Sequence, residues 1–153
     1  TTSRDVERGS SKWINIYRYK NQENNTLDCL LKLKEKGYKL VATTPHTDVT
    51  LDTIPIDQPL AFIFGTEKAG VSKDVLNNTD FQIKIPMYGF TESFNISVAA
   101  AICLNTLRHR IQESDINWHL SSEEKIETML MWCKKSLEHY KKYEREYLER
   151  FNS

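Results

Sequence analysis

The apolar run Leu60–Phe64 (LAFIF) restricts the fold of this chain more than any other segment. Unbroken apolar character over five residues is typical of a strand buried on both faces of a parallel sheet. Helix-like and strand-like segments alternate around it, since leucines recur at helical spacing over Thr26–Lys36 and Tyr38–Thr43 follows as a strand. The sequence therefore predicts an α/β fold around one sheet, with Leu60–Phe64 as its buried strand.

The remaining segments extend this alternation. The pattern predicts strands at Lys12–Tyr19 and Phe81–Ile85, a loop over His46–Gln58, a short helix from Ser72 to Leu76 and a long helix from about Asn95 to Gln112. Ser121 and Glu124 have the spacing of a capping box, so one last helix is predicted from near Ser122 toward Phe151.

That last helix carries a regular apolar seam, with residues at alternating spacings of four and three: Ile126, Leu130, Cys133, Leu137, Tyr140, Tyr147 and Phe151. Such a seam favours packing onto the domain or onto a second subunit. The alternative is a basic helix face for RNA, because four lysines lie off the seam: Lys134, Lys135, Lys141 and Lys142.

Composition excludes several classes of protein. The chain has 153 residues and is 39% apolar, which suffices for one core, and no apolar run reaches the roughly 18 residues of a membrane span. Three cysteines without CxxC spacing and four dispersed histidines argue against a zinc site or a disulfide framework, so each cysteine is expected in the core and no metal is expected. Without a signal peptide pattern, we expect a soluble, cytoplasmic protein.

Charge is balanced over the whole chain, with 21 basic and 21 acidic residues, but not along it. Residues 1–39 carry nine basic and five acidic side chains. Any polyanion-binding face should therefore come mainly from these residues, and an ordinary solvated surface remains the alternative. Its basic members stand among aromatic residues and are Arg4, Arg8, Lys12, Arg18 and Lys20.

Two segments carry the chemistry, Phe64–Ser72 (FGTEKAGVS) and Ile85–Ala101 (IPMYGFTESFNISVAAA). Each stands where a strand ends and a helix is about to begin, which is where open parallel sheets bind ligands. Gly65 and Gly70 permit sharp turns and close backbone approach to a ligand. Taken singly, a surface turn explains the first segment and helix capping by Ser93 or Asn95 explains the start of the second.

Taken together, the two segments resemble the second and third motifs of the SpoU branch of the knotted RNA 2′-O-ribose methyltransferases, and within it the TrmH group of tRNA guanosine methyltransferases. The stretch Ala42–His46 (ATTPH) is also similar. The resemblance spans residues 1 to about 151. It implies a parallel sheet with helices on both faces, a C-terminal trefoil knot and a C-terminal helical extension, with the methyltransferase domain at 1–113 and the extension at 114–153.

The resemblance also implies S-adenosylmethionine as cofactor, an RNA substrate, which is tRNA in the TrmH group, and a homodimer that completes the site. The residues implied to bind the cofactor are Thr43, Phe64, Gly65, Ile85, Met87 and Phe94, with Tyr88 nearby. Phe94 replaces the leucine usual in the family. The residues implied to organise catalysis are Glu67, Asn95 and Ser93, of which Asn95 can orient a substrate but cannot act as a base.

One family feature is not in this sequence. The first motif places an asparagine and a catalytic arginine on the helix after the first strand of the domain, and neither Arg4 nor Arg8 has that context. The domain at 1–113 is thus expected to lack its N-terminal strand and helix, and the chain alone to be nearly inactive. The alternatives are a ribose methyltransferase for ribosomal RNA and an inactive RNA-binding or assembly module of the same fold.

Overall fold

The computed structural model describes residues 13–20, 23–90 and 93–151. The chain divides into two compact units: residues 19–117, called the sheet unit, and residues 1–18 with 118–153, called the terminal unit. The sheet unit contains α1 (Asn25–Glu35), β1 (Lys39–Thr43), β2 (Leu60–Ile63), α2 (Lys73–Asn78), β3 (Phe81–Ile83) and α3 (Ile96–Gln112). The terminal unit contains α4 (Ser122–Ser136) and α5 (Tyr140–Phe151).

The three strands form a parallel sheet in the order β2-β1-β3, with Leu40 opposite Ala61 and Val41 opposite Phe81. The predicted α/β fold with a parallel sheet is confirmed. The prediction that Leu60–Phe64 is the doubly buried strand was wrong, because β2 is half-buried while Leu40, Val41 and Ala42 of β1 are fully buried. Apolar content indicates that a strand is covered, but it does not reveal which strand lies in the middle.

Helices cover both faces of this sheet. Successive side chains of β1 point to opposite faces, so this strand contributes to a core on each side. On one face, Leu40 and Ala42 pack with Leu30 of α1 and Val75 of α2. On the other face, Val41 packs in a second cluster of buried residues. Its other members are Ile83 of β3, Cys103 of α3, and Leu51 and Ile54 of the loop at 44–59. Burying a side chain such as leucine contributes about 1.5–3 kcal/mol, so these two clusters hold the sheet unit together.

Short-range signals set the helix ends. The Asn24 side chain accepts a hydrogen bond from the Leu27 backbone N–H (3.1 Å) at the start of α1, and Gly37 at φ +80° follows the end of that helix. Arg110, near the end of α3, donates to the Leu51 carbonyl oxygen and ties the loop at 44–59 to that helix. No strand forms over 13–20, so the prediction for the described part of Lys12–Tyr19 was wrong. Arg4, Arg8 and Lys12 lie outside the described residues.

The predicted capping box is present at the start of α4, where Ser121 accepts from the Glu124 N–H (3.1 Å) and Glu124 accepts from the Ser121 N–H (2.8 Å). The prediction of one continuous last helix was wrong. The chain leaves the helix at Leu137, which is extended, and passes through His139 at φ +59° before α5 begins. Heptad spacing continues across this break, which carries neither glycine nor proline, so the sequence holds no local signal of it.

The cysteines differ in burial although all three are free. Cys103 is buried and Cys29 is half-buried, as expected of core residues, but Cys133 is exposed on α4. The prediction that all three lie in the core was therefore wrong for Cys133. Burial raises the pKa of the Cys103 thiol, which leaves it largely protonated at neutral pH.

Candidate active site

A cavity of about 400 Å³ lies in the sheet unit, in the segments that follow the three strands. Because β1, β2 and β3 are parallel, their carboxyl ends share one edge of the sheet, the usual ligand position in such folds. The cavity is lined by residues of three segments: 43–46, which begin with the last residue of β1, 64–71 after β2, and a third group after β3 made of Ile85, Met87, Ser93, Phe94, Ile96 and Ala99. Leu76 of α2 completes the lining.

The loop after β2 is closed on itself by backbone hydrogen bonds. Thr66 N–H donates to the Gly70 carbonyl (3.0 Å), and Gly70 N–H donates to the Thr66 carbonyl (2.8 Å). A Cβ on Gly65 would lie 2.0 Å from the carbonyl carbon of Gly70 and 2.3 Å from the nitrogen of Val71, far inside contact distance. This close approach requires glycine at position 65, and it fixes the tip that carries Glu67 and Lys68.

The ends of the strands are joined to one another at the cavity. Thr43 Oγ1 donates to the Ile63 carbonyl (3.3 Å) across β1 and β2, and Thr44 N–H donates to the Ile83 carbonyl (2.9 Å) across β1 and β3. Thr44 is buried, and its hydroxyl oxygen accepts from the His46 N–H (3.3 Å). The cavity wall after β1 is thus held by both neighbouring strands.

The segment after β3 ends in the cap of α3. The Asn95 Oδ1 atom accepts from the Ser97 N–H (2.9 Å) and from the Ser97 hydroxyl (2.6 Å), which caps the helix. Its carbonyl oxygen is therefore engaged within the chain, and only the amide N–H groups remain as donors for another partner. Ser93 and Phe94, immediately before the cap, line the cavity.

The cavity gathers eight of the nine residues proposed from the sequence; Asn95 is the exception and does not line it. Tyr88, expected nearby, follows the lining residue Met87 but has a side chain that is 97% exposed. Thr44, Pro45 and His46 also line the cavity and were not singled out. Their position after β1 was available from the ATTPH stretch, but only the parallel pairing of β1 with both neighbours places that stretch at the site.

The cavity combines apolar side chains with nearly as much polar surface, including one acidic and one basic side chain at its loop tip, Glu67 and Lys68. Such a mixture suits a small organic ligand with a charged group. Within residues 13–20, 23–90 and 93–151, no group of three or more His, Cys, Asp or Glu side chains is arranged to hold a metal ion. No helix in the described part of the chain has the length and apolarity to cross a membrane.

The SpoU rRNA Methylase family model matches residues 1–105. The chain belongs to this family. Among curated SpoU relatives, a tRNA (guanosine(18)-2′-O)-methyltransferase of Borreliella burgdorferi is 40% identical over 141 residues, covering 92% of this chain and 63% of that protein. A 23S rRNA (guanosine-2′-O-)-methyltransferase of Nitrosomonas europaea is 37% identical over 91 residues, covering 59% of this chain and 35% of that protein.

Solved SpoU structures agree with the fold. The crystal structure of an Aquifex aeolicus TrmH/SpoU tRNA modifying enzyme matches with a TM-score of 0.72 and 28% identity, covering 89% of this chain and 69% of that one. An AdoMet-bound rRNA methyltransferase of Sinorhizobium meliloti matches with a TM-score of 0.53 and 26% identity, covering 56% and 33%. The chain thus spans less than two thirds of the length of the curated relatives named above.

Proposed function

We propose that this chain is the cofactor-binding part of an S-adenosylmethionine-dependent RNA 2′-O-ribose methyltransferase that modifies a tRNA guanosine at position 18. The observation that carries the proposal is that the segment after β2 and the segment after β3, which hold the two family-like motifs, line the same cavity. In this proposal Thr43, Phe64, Gly65, Ile85, Met87 and Phe94 bind the cofactor, and Glu67, Ser93 and Asn95 organise catalysis.

The cavity fits such a cofactor in size and chemistry. Sites for small molecules and cofactors have volumes of roughly 300–1,000 Å³ and mainly apolar walls with a few polar groups. The cavity of about 400 Å³ falls in that range, and the apolar part of its lining, which includes Phe64, Ile85 and Phe94, suits an adenine ring. The Sinorhizobium relative of similar fold is described as AdoMet-bound, which supports the same cofactor here.

When bound, S-adenosylmethionine supplies an electrophilic methyl group on a positively charged sulfur. The chain's part is to align that methyl with the ribose 2′-oxygen, since displacement requires the attacking and leaving atoms in line. Glu67 contributes a negative charge at the cavity. The Glu67 carboxylate would favour binding of the cationic S-adenosylmethionine over its demethylated product, which has no charge on sulfur, and would not lower the barrier by itself.

tRNA is favoured over ribosomal RNA by the extent of similarity. The match to the Borreliella tRNA enzyme covers 92% of the chain and so includes most of the terminal unit, whereas the match to the Nitrosomonas rRNA enzyme covers 59%. We propose further that the whole protein is a homodimer and that its methyltransferase domain carries the trefoil knot. The exposed seam of α4 and α5 supports the dimer, with Ile126 66% and Leu130 53% exposed.

The reaction is tested with radiolabelled methyl transfer by the whole protein to a transcribed tRNA. A 2′-deoxy substitution at the target guanosine should abolish labelling, because the attacking hydroxyl is gone. Undiminished labelling of the deoxy substrate would mean that a base is methylated instead. The chain without the family's first motif should be nearly inactive, since positioning and acid–base groups contribute about 10²–10⁴-fold each.

Glu67→Gln tests the charge at the cavity while keeping the shape of the side chain. Calorimetry should show weaker binding of S-adenosylmethionine and unchanged binding of its demethylated product, which lacks the sulfonium charge. Lys68→Gln is the matched control, since it removes a charge of opposite sign, and it should not weaken the binding of S-adenosylmethionine. Equal losses for both ligands in Glu67→Gln would assign Glu67 to loop shape.

Asn95→Asp separates capping from a contact with substrate. Aspartate caps helices as well as asparagine does, but it removes the amide donor. We expect methyl transfer to fall strongly while the melting temperature stays within the range of the unaltered protein. Full activity in Asn95→Asp would reduce Asn95 to a helix cap.

The dimer is tested by placing Glu at Ile126 and Leu130 together and measuring mass by light scattering at tens of micromolar. A dimer that uses the seam should dissociate. An unchanged dimer would locate the interface elsewhere, and a monomeric unaltered protein would contradict the proposal.

A further inference from the structure

Two aromatic side chains that follow the cavity-lining residue Met87 in the sequence are almost wholly in solvent. Tyr88 is 97% exposed and Phe90 is fully exposed, whereas no other large apolar side chain of the described residues is more than 72% exposed. They lie in the loop after β3, between Met87 on one side and Ser93 and Phe94 on the other, all of which line the cavity. The exposed pair is thus continuous in the chain with the site.

The backbone between these two rings has a conformation that favours glycine. Gly89, between them, has φ +116°, a conformation that residues with a side chain rarely adopt, and a Cβ there would meet nothing within 4 Å. Substitution at Gly89 would therefore alter the backbone without creating a clash. A substitution at Gly89 would thus reorient the Tyr88 and Phe90 side chains without removing either of them.

The chemistry of the loop selects the kind of partner. Residues 85–90 (IPMYGF) carry no charge, so they cannot bind phosphate by ion pairing. Two aromatic side chains bury at most about 300–500 Å² together, well below the roughly 800 Å² that each partner contributes to a stable protein interface. An unpaired base matches both constraints, because bases stack on aromatic rings without requiring charge or large area.

We propose that Tyr88 and Phe90 form a stacking platform for an unpaired nucleobase of the RNA substrate, next to the ribose presented to the cavity. The inference rests on the proposed function, since a ribose that enters the cavity leaves its own base or the adjoining base at the rim. The platform positions the RNA; it does not contact the transferred methyl group.

The test compares Tyr88→Leu, Phe90→Leu and the double variant, because leucine keeps apolar bulk but has no aromatic face. Affinity for a fluorescently labelled tRNA transcript should fall about tenfold for each ring. Phe90→Trp, which keeps an aromatic ring at this position, should retain the RNA affinity that Phe90→Leu loses. Tyr38→Leu is the control, since Tyr38 is an exposed aromatic that precedes β1, at the edge of the sheet opposite the cavity.

Three further readouts identify stacking. The slope of log affinity against log salt concentration should be the same in the double variant, because the rings release no counterions. Binding of polyphosphate and of S-adenosylmethionine should not change. A changed salt slope or an equal loss of polyphosphate binding would overturn the inference in favour of a disturbed charged surface.

Other outcomes separate this inference from the proposed function. If the whole protein methylates tRNA and the double variant has an unchanged KM for tRNA, the function stands and the platform is overturned. Ring-dependent RNA binding without any methyl transfer would support the platform and contradict the function. If the double variant binds RNA normally but loses self-association in light scattering, the rings face a second copy and the inference is overturned.

Discussion

The sheet unit and the terminal unit bury their apolar residues very differently. All the buried apolar side chains of the described residues lie between Leu30 and Cys103, in the sheet unit. Helices α4 and α5 contain no buried residue, although their apolar seam is the most regular in the sequence. Regular spacing therefore indicates a face suited to packing, while burial within one chain depends on whether an opposing layer exists.

In the sheet unit, the largest effect of a single substitution is expected at Gly65. Gly65→Ala places a Cβ within 2.3 Å of the Gly70–Val71 backbone, which cannot move without opening the loop. We expect a loss of about 3 kcal/mol in the free energy of unfolding, the upper end for overpacking, and cofactor binding more than about tenfold weaker. Urea unfolding and calorimetry measure the two effects.

Gly37→Ala is the matched control for that substitution. Gly37 has φ +80° but no atom within 4 Å of the added Cβ, so only the conformational penalty of about 1 kcal/mol applies. It lies at the other edge of the sheet, before β1, and should leave cofactor binding unchanged. Similar cofactor losses in both variants would show that global destabilisation, and not the loop, controls binding.

Two cysteines report on the two units independently. Cys103 is buried and its thiol pKa is raised by burial, whereas Cys133 is exposed on the seam of α4. With iodoacetamide at low protein concentration, Cys133 should react on the order of 100-fold faster than Cys103, which requires local opening. Protection of Cys133 that grows with protein concentration would show the seam being covered by a second copy; equal rates would contradict the burial contrast.

A smaller effect is expected at Asp80, which joins β1 to the start of β3. Its Oδ2 accepts from the Leu40 N–H (2.9 Å) and its Oδ1 contacts the Lys39 ammonium (3.3 Å). Partial burial acts to raise the pKa of the Asp80 carboxyl, but these two partners prevail and hold the pKa below its usual range. Asp80→Ala should cost about 1–2 kcal/mol of unfolding free energy at pH 7.

The sign of its pH dependence follows from that depressed pKa. The contribution of Asp80 to stability is complete above the usual carboxyl pKa of about 4 and is lost as the pH falls through the lower value of the folded state. The difference in urea midpoint between Asp80→Ala and the unaltered chain should shrink below about pH 4. A difference that stays constant to pH 2 would mean that the carboxylate charge contributes nothing.

Local signals predicted the helices and strands of the sheet unit well because residues at the ends of its helices favour helix termination or capping. Ser72 caps a short helix as predicted, and Gly37 follows the end of α1. The middle position of β1 and the gathering of Thr44, Pro45 and His46 at the cavity could not be predicted, since both depend on pairing between segments distant in sequence. The break at Leu137–His139 was missed for another reason: a non-glycine residue at positive φ has no distinctive sequence signal.

The central position of β1 also has a consequence for synthesis. Both neighbours of β1 come later in the chain, so a strand whose three middle residues end fully buried leaves the ribosome before either partner exists. At translation rates of about 5–20 residues per second, that strand waits on the order of seconds with both hydrogen-bonding edges open. Of the helices that the structure describes, α1 alone precedes β1, and its Leu30 can already cover one face of the strand during that time. Chaperone dependence of this protein in the cell should accordingly map to the nascent segment around Leu40–Ala42.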